Sequence, residues 1–274
     1  MNDLINKVEA LMREVAEEEL LSRFGKLQRH EIVDKYRPGD VVTTADLEAE
    51  VRLSEGLLKL HPASTVIGEE DAYRNPEILD RLKGDVPVWT IDPLDGTGNF
   101  AKGKPCFAMI CALIEGGVTQ IGWILDPVAG VCIQAQRGQG VFLNQQRLNM
   151  RQPETLESMT GSVGDGLRKR LQTRQDRGEA GLPRQFLRYH CCGREYLDLL
   201  LGKIDFALYG GRLMPWDHAA GALMIAEAGG YVGMCDGDEP YAPQLYDDGN
   251  RLMLAPNRRA FDDLQSVLFS EKGA

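Results

Sequence analysis

The sequence lacks a long apolar run and a CxxC cysteine pair. No apolar stretch in its 274 residues approaches the length of a transmembrane helix, so we expect no membrane partner. The first 24 residues carry acidic and basic groups throughout, which predicts neither a signal peptide nor a membrane anchor. None of the six cysteines forms a CxxC pair, and most stand in apolar runs. We therefore expect free, buried thiols and a cytoplasmic location.

Several catalytic signatures are also missing. No cysteine is followed six positions later by an arginine, the spacing of thiolate phosphatases. The four histidines have no zinc-ligand spacing, and no Walker-type phosphate loop is present. These absences argue against a thiolate phosphatase, a histidine-ligated zinc site and a nucleotide-hydrolysing motor.

The sequence contains fewer basic than acidic side chains. Against 41 acidic side chains there are 31 basic ones, which gives a formal charge of −10. This excess argues against a nucleic acid polymer or an anionic membrane as the main partner. A small phosphorylated substrate remains compatible, because a bound metal can reverse the sign of a local field.

The hydrophobic pattern predicts an α/β protein with a partly antiparallel first sheet. Helical spacing marks an opening helix over residues 4–15 and a second over 44–60. Strands are predicted at 65–67 and 86–91, then a meander over 107–135. Beyond residue 155, strands at 159–163, 185–189, 204–208, 231–234 and 252–255 alternate with helices near 193–201, 216–228 and 257–269.

This pattern divides the chain into two portions. Residues 1–154 form an N-terminal α+β portion with the acidic clusters, and residues 155–274 form a smaller α/β portion that closes the active site. The polar tract over 165–184 is basic, and a solvated helix and loop is the favoured interpretation over a binding patch.

Three acidic clusters interrupt apolar surroundings. Glu69 and Glu70 follow a predicted strand, Asp92 and Asp95 end another, and Asp217 opens a predicted helix. Each cluster alone is equally typical of a loop end, a turn or a helix cap. Together they need a counter-charge, since unpaired buried carboxylates are costly, and divalent cations with oxygen ligands supply one.

The second cluster is the most specific. In Asp92-Pro-Leu-Asp95, a turn can bring both carboxylates to one metal, with the Leu94 carbonyl as a third oxygen ligand. Gly96 allows close backbone approach, and Thr97 places a hydroxyl beside the acids. If a helix starts here, the amides of residues 95–97 form an anion site. Metals on one side and amides on the other suit phosphoryl transfer to water.

With these motifs in order, the chain resembles the inositol monophosphatase family. The resemblance rests on Asp40-Val-Val-Thr-Thr-Ala-Asp46, Gly68-Glu-Glu70, Asp92-Pro-Leu-Asp-Gly-Thr-Gly-Asn-Phe100, Trp216-Asp-His-Ala-Ala-Gly221 and Glu227-Ala-Gly-Gly230. It implies a layered α/β/α/β/α sandwich, magnesium-dependent phosphomonoester hydrolysis, inhibition by lithium and a homodimer.

The resemblance also implies a metal centre. Glu69, Asp92 and the Leu94 carbonyl look like ligands of a first magnesium. Asp92 would bridge to a second magnesium, which Asp95 and Asp217 complete. A third, weaker site near Glu69 would raise the number of ions from two to three.

Catalytic and substrate-binding positions follow from the same comparison. Thr97 and Asp46 resemble the hydroxyl and carboxylate that orient or deprotonate the attacking water, and Glu70 matches a second acid near it. The implied substrate-binding positions are Asp95, Gly96, Thr97 and Asp217.

Departures from the family pattern concern substrate choice. Residues 190–193 and Tyr209 stand where inositol-specific members have polyol-contacting groups. Inositol monophosphate or a similar small phosphomonoester is the leading substrate; histidinol phosphate, fructose 1,6-bisphosphate and a nucleotide 3′-phosphate are alternatives. Arg194 and Arg212 are candidates for contact with a second substrate phosphate, although a surface arginine without such a contact is the commoner case. A catalytically silent, metal-binding regulatory homologue is the alternative of another class.

Overall fold

The computed structural model describes residues 2–35, 41–237 and 240–269, and Asp40 of the first motif lies outside them. The α-helices in these ranges are α1 Asn2–Val15, α2 Thr44–Leu60, α3 Glu69–Arg74, α4 Thr97–Ala101, α5 Asp165–Asp176, α6 Cys192–Leu200, α7 Pro215–Glu227 and α8 Arg258–Phe269. The strands are β1 Ile32–Asp34, β2 Val41–Thr43, β3 Thr65–Gly68, β4 Val88–Asp95, β5 Ala108–Glu115, β6 Val118–Asp126, β7 Val131–Gln136, β8 Gly140–Leu143, β9 Gln146–Leu148, β10 Thr160–Ser162, β11 Gln185–Leu187, β12 Phe206–Gly210, β13 Tyr231–Met234 and β14 Arg251–Ala255. Among these helices, none combines the length and the apolar character needed to cross a membrane.

A seven-stranded sheet in the order β3-β4-β5-β6-β7-β8-β9 forms the larger layer. Only β3 and β4 run parallel, and every later pair is antiparallel, so the predicted meander is confirmed. Gly116 and Gly117 both have positive φ and form the tight connection between β5 and β6. The edge strand β9 and its neighbour β8 were not predicted.

A five-stranded sheet in the order β11-β10-β12-β14-β13 forms the smaller layer. β10 runs parallel to both β11 and β12, whereas β14 is antiparallel to its two neighbours. All strands of the larger sheet precede residue 149 and all strands of the smaller one follow residue 159. The division into two portions at residue 154 stays a prediction.

Helices cover and separate the two sheets. α1 and α2 pack their apolar faces, including Val8 and Leu53, against one face of the larger sheet. α6 and α7 lie between the sheets, where Tyr196 and Leu223 join residues of both in one core. α5 and α8 cover the outer face of the smaller sheet. This order of layers confirms the predicted α/β/α/β/α sandwich.

The basic tract contributes to packing of the outer layer. Its residues 165–176 form α5, where Arg170 and Arg174 donate hydrogen bonds to the Leu268 and Val267 carbonyls. Arg174 also pairs with Glu179 at 2.6 Å. Two of its arginines thus tie α5 to the end of α8.

Candidate active site

The acidic residues meet at one edge of the larger sheet. β3 and β4 are parallel, with Gly68 opposite Ile91, so Glu69 and Asp92 follow at the same end of neighbouring strands. The prediction of a turn over residues 92–95 is wrong, because β4 continues through this segment to Asp95. Its pairing with β5 shifts register between Asp92 and Asp95, around Pro93, which has no N–H to donate. The bulge still presents both acids and the Leu94 carbonyl together.

Gly96 turns the chain from β4 into the short helix α4. Its φ is +91°, and a Cβ atom there would lie 2.9 Å from the Cys106 carbonyl oxygen. Thr97 is the first residue of α4, and its Oγ1 lies 2.9 Å from both Asp46 Oδ1 and the Leu94 carbonyl oxygen. The single hydroxyl proton is donated to one of these two acceptors. The hydroxyl–carboxylate pair predicted from the motifs is therefore in contact.

Hydrogen bonds from Thr43, the residue before α2, hold the Asp46 carboxylate in place. Its Oδ2 accepts hydrogen bonds from the Thr43 backbone N–H at 2.8 Å and from Thr43 Oγ1 at 2.5 Å. Burial raises the pKa of Asp46 to about 7, against the lowering effect of the Thr43 hydroxyl, and the negative charges of Glu70 and Glu69 add to the rise. A carboxylate with this pKa can accept a proton near neutral pH.

Sequence reasoning missed Lys35, which lies directly between the first two acids. Its Nζ is 2.7 Å from Glu69 Oε1 and 2.6 Å from Glu70 Oε1, and only 4% of its side chain is exposed. Burial lowers the pKa of Lys35, but the two carboxylates outweigh it and raise that pKa well above its usual value. No motif or periodicity marks this lysine, so the sequence contained no signal for it.

Glu50 was also missed, although α2 contained a signal for it. It is a buried acid on the apolar stripe of that helix, beside Ala49 and Leu53. Its carboxylate accepts the N–H groups of Glu70 and Asp71, both at 2.8 Å, and so anchors the start of α3. Burial raises its pKa to about 7 despite these two hydrogen bonds.

The start of α6 forms the opposite wall of the site. The Gly193 N–H lies 2.5 Å from Asp95 Oδ2, and the Cys191 thiol donates to the same oxygen at 3.1 Å. The Cys192 thiol donates to the Asp217 carbonyl oxygen at 3.4 Å, in the first turn of α7. Residues 190–193, which the sequence aligns with the polyol-contacting segment of the family, thus bind the Asp95 carboxylate and the Asp217 carbonyl oxygen.

The electrostatics are those of a cation site. Burial raises the pKa values of Asp92, Asp95 and Asp217, and the charge of Glu69 raises those of Asp92 and Asp217 further. In the part of the chain that the structure describes, no three acidic, histidine or cysteine side chains converge on one ion position. Glu69 and Asp95 instead direct an oxygen to Lys35 and to the Gly193 N–H. The donors are carboxylate and carbonyl oxygens, the chemistry that Mg²⁺ prefers over Zn²⁺.

Two cavities flank these acids. A cavity of about 360 Å³ is lined by Glu69, Thr97, Lys102, Lys104 and His190, among others. A second, of about 330 Å³, lies beside Asp95 and Asp217 and contains Arg188, Glu195, Tyr209 and Arg212 in its walls. His190 lines both cavities, in a left-handed conformation with φ +55°. Its pKa is lowered by burial and then by the charges of Arg188, Lys102 and Lys104.

Arg194 does not take the role predicted for it. Its guanidinium binds Asp126 and lies 3.3 Å from Asp198, so both edges are engaged within the protein. Of the two arginines considered for a second phosphate, only Arg212 lines the cavity beside Asp217.

Comparisons with known proteins place the chain in one family. Residues 2–268 match the model of the inositol monophosphatase family. The Nus factor SuhB of Xylella fastidiosa is 29% identical over 266 residues, 92% of this chain and 89% of that protein. The fructose-1,6-bisphosphatase/inositol-1-monophosphatase of Thermotoga maritima is 30% identical over 213 residues, 74% of this chain and 75% of that protein. The solved structure of a Thermotoga maritima IMPase superposes with a TM-score of 0.80 at 26% identity and covers 98% of this chain and 97% of that one.

Proposed function

Because the chain belongs to the inositol monophosphatase family, we propose that it hydrolyses a small phosphomonoester with magnesium as cofactor and water as nucleophile. The observation that carries the proposal is the contact of Thr97 with Asp46, beside the buried carboxylates of Asp92 and Asp95. A binding module without chemistry has no need for a hydroxyl held between a carboxylate of pKa about 7 and a carbonyl oxygen.

The residues present fit two magnesium ions, with a third near Glu69. Glu69, Asp92 and the Leu94 carbonyl would hold the first, and Asp92, Asp95 and Asp217 the second. When bound, magnesium supplies a water of lowered pKa and positive charge for the leaving oxygen. The raised pKa values of Asp92, Asp95 and Asp217 support this assignment, since these acids are unstable together without a cation.

The other steps of the proposed reaction are assigned to side chains of the site. Thr97 orients the attacking water and passes its proton to Asp46, whose pKa of about 7 suits a base at neutral pH. Glu70 acts as a second acid near that water, with Lys35 holding its carboxylate in place. On the other side of the phosphoryl group, the Gly193 N–H fixes the orientation of Asp95. Gly96 lines the cavity beside Thr97 and would contact the substrate there, and no covalent phosphoenzyme forms.

The identity of the leaving group is a finer proposal. Inositol monophosphate is our leading substrate, and the name of the Thermotoga relative, a fructose-1,6-bisphosphatase/inositol-1-monophosphatase, supports fructose 1,6-bisphosphate as well. Histidinol phosphate and a nucleotide 3′-phosphate are further alternatives. The names of the SuhB relatives state no enzymatic activity, which keeps a catalytically silent regulatory homologue as the second candidate function.

One assay separates these functions. Phosphate release is measured from a panel of these substrates with magnesium, with and without chelator and lithium, for the wild type and for Asp217→Asn. We expect release that requires magnesium, is inhibited by lithium and is lost in the variant. Absence of release from every substrate, with magnesium binding shown by calorimetry, would favour the silent homologue.

We also propose a homodimer and a cytoplasmic location, as the family resemblance implies. Light scattering after gel filtration should give twice the mass of the chain. A monomer at micromolar concentration would contradict the dimer.

A further inference from the structure

The cavity beside Asp95 and Asp217 is placed to hold the leaving group. Thr97, Asp46 and Glu70 lie on the side from which water attacks in the proposed function. In an in-line displacement the leaving oxygen departs on the opposite side of the phosphoryl group. We place that side at the cavity of about 330 Å³, because Asp95 and Asp217, the proposed ligands of the second magnesium, border it.

Besides the proposed magnesium ligands, the cavity wall contains three charged side chains, those of Arg188, Glu195 and Arg212. The charges of Arg188 and Glu195 compensate each other. Glu195 is 1% exposed, accepts a hydrogen bond from Ser162 Oγ at 2.5 Å, and lies 3.8 Å from the Arg188 guanidinium. Its negative charge is thus matched by Arg188. The third is Arg212, which pairs with no carboxylate among residues 2–35, 41–237 and 240–269.

The backbone holds Arg212 at the cavity rim. The Gly211 N–H donates to the Asn250 carbonyl at 3.2 Å, and Leu213 exchanges hydrogen bonds with Tyr246 at 3.2 and 3.1 Å. The residue before Arg212 and the residue after it are therefore fixed, and buried Leu213 anchors the loop to the core. The Arg212 side chain itself is exposed, so its guanidinium is accessible to an anion in the cavity.

We propose that the leaving group of the substrate carries a second anionic group, a phosphate or a carboxylate, which binds Arg212 at the rim of this cavity. This inference rests on the proposed phosphatase function and narrows its substrate class. With Asp95 and Asp217 neutralised by magnesium and Glu195 matched by Arg188, Arg212 leaves the cavity with net positive charge. A neutral polyol leaves that charge unused, whereas a second anion pairs with it in bidentate geometry.

The test compares substrates that share a scissile phosphate and differ in the second anion. The pairs are fructose 1,6-bisphosphate with fructose 1-phosphate, adenosine 3′,5′-bisphosphate with adenosine 3′-phosphate, and 2-phosphoglycerate with glycerol 2-phosphate. For each pair, kcat/KM is measured with magnesium for the wild type, Arg212→Ala, Arg212→Lys and the exposed control Arg259→Ala, which lies on α8. The third pair distinguishes a carboxylate from a phosphate.

We expect the wild type to prefer the doubly anionic member of at least one pair. In Arg212→Ala that preference should fall by about ten- to a hundred-fold, the usual effect of losing a charged hydrogen-bond pair. Arg212→Lys should keep part of it, and Arg259→Ala all of it.

Other results would overturn the inference at different levels. Equal rates for both members of every pair, or an equal loss for both in Arg212→Ala, would reject the second anion site and leave the hydrolase intact. No release from any substrate would reject the proposed function, and this inference with it.

Discussion

The two sides of the candidate site are built differently. On the water side, Asp46, Thr97 and Glu70 are held by short hydrogen bonds and ion pairs to Thr43, Leu94 and Lys35, all from the first hundred residues of the chain. On the leaving-group side, most of the cavity wall comes from residues 188–218. It includes two cysteines, a tyrosine, a buried glutamate and two arginines, and of these arginines Arg212 has no carboxylate partner among the described residues.

This difference separates chemistry from substrate choice. The water side and the acids matched the family motifs, whereas residues 190–193 and Tyr209 departed from them. Part of this departing segment also orients an acid of the site, because Gly193 and Cys191 donate hydrogen bonds to the Asp95 carboxylate. Amino-acid changes on the leaving-group side are therefore limited, because this side must keep Asp95 in position and both sides depend on that acid.

The largest effect should come from Asp92, which lies between the two sides. Asp92→Asn removes one unit of charge from a buried group of acids at nearly constant volume. We expect kcat to fall at least about a thousand-fold, since metal ions supply several kcal/mol of charge stabilisation in such reactions. Steady-state phosphate release measures it, with exposed Asp80→Asn as the control. A loss smaller than about tenfold would remove Asp92 from the metal site.

A smaller effect confined to the water side is expected for Thr97. Thr97→Val keeps the shape but removes the hydroxyl that contacts Asp46, whereas Thr97→Ser keeps the hydroxyl. We expect the valine variant to lose about a hundred-fold in kcat, in the range of general-base effects, with little change in KM. The serine variant should retain most of its activity. Equal rates for the two variants would show that the hydroxyl has no part in the reaction.

Local pattern predicted most of the architecture and the main acids. The apolar spacing of α2 and the glycine turn between β5 and β6 act over a few residues, so their elements were predicted correctly. The short edge strand β9 was missed because its residues Gln146 and Arg147 carry little strand pattern, and its neighbour β8 was missed as well. The turn predicted at Asp92 failed because pairing with β5 continues the strand past Pro93.

The supporting contacts of the site could not be predicted in the same way. Lys35 meets Glu69 across 34 residues, and Gly193 meets Asp95 across 98. Such contacts depend on how the layers pack, which a single sequence does not show. The buried acid Glu50 on α2 was the one available hint, since an unpaired acid on an apolar face implies a partner.

Gly193→Ala tests the leaving-group side. An added Cβ atom would lie 2.8 Å from Ala108 Cβ and 3.0 Å from Asp95 Oδ2, so the start of α6 must shift. We expect KM for magnesium and substrate to rise by about tenfold, because Asp95 loses its fixed orientation. Metal titrations of activity measure this. Gly166→Ala in α5, where an added Cβ meets nothing within 4 Å, is the matched control. Unchanged kinetics in Gly193→Ala would show that this wall does not position Asp95.

The smallest effect concerns stability on the water side. Glu50 has a pKa of about 7 in the folded protein, above its ordinary value of 4.5, because it is buried. Folding therefore favours its protonated form. The resulting contribution to the free energy of unfolding is complete below about pH 4.5 and is lost as the pH rises through 7.

In the presence of chelator, the free energy of unfolding of the wild type should fall between about pH 6 and about pH 8 by about 1 kcal/mol more than that of Glu50→Gln. Denaturant titrations at both pH values measure the difference, and exposed Glu55→Gln on the same helix should behave like the wild type. If Glu50→Gln shows the same pH dependence as the wild type, the carboxylate that anchors α3 is ionised throughout this range. The pH dependence of the unfolding free energy would then come from Asp46 and the acids at the metal site.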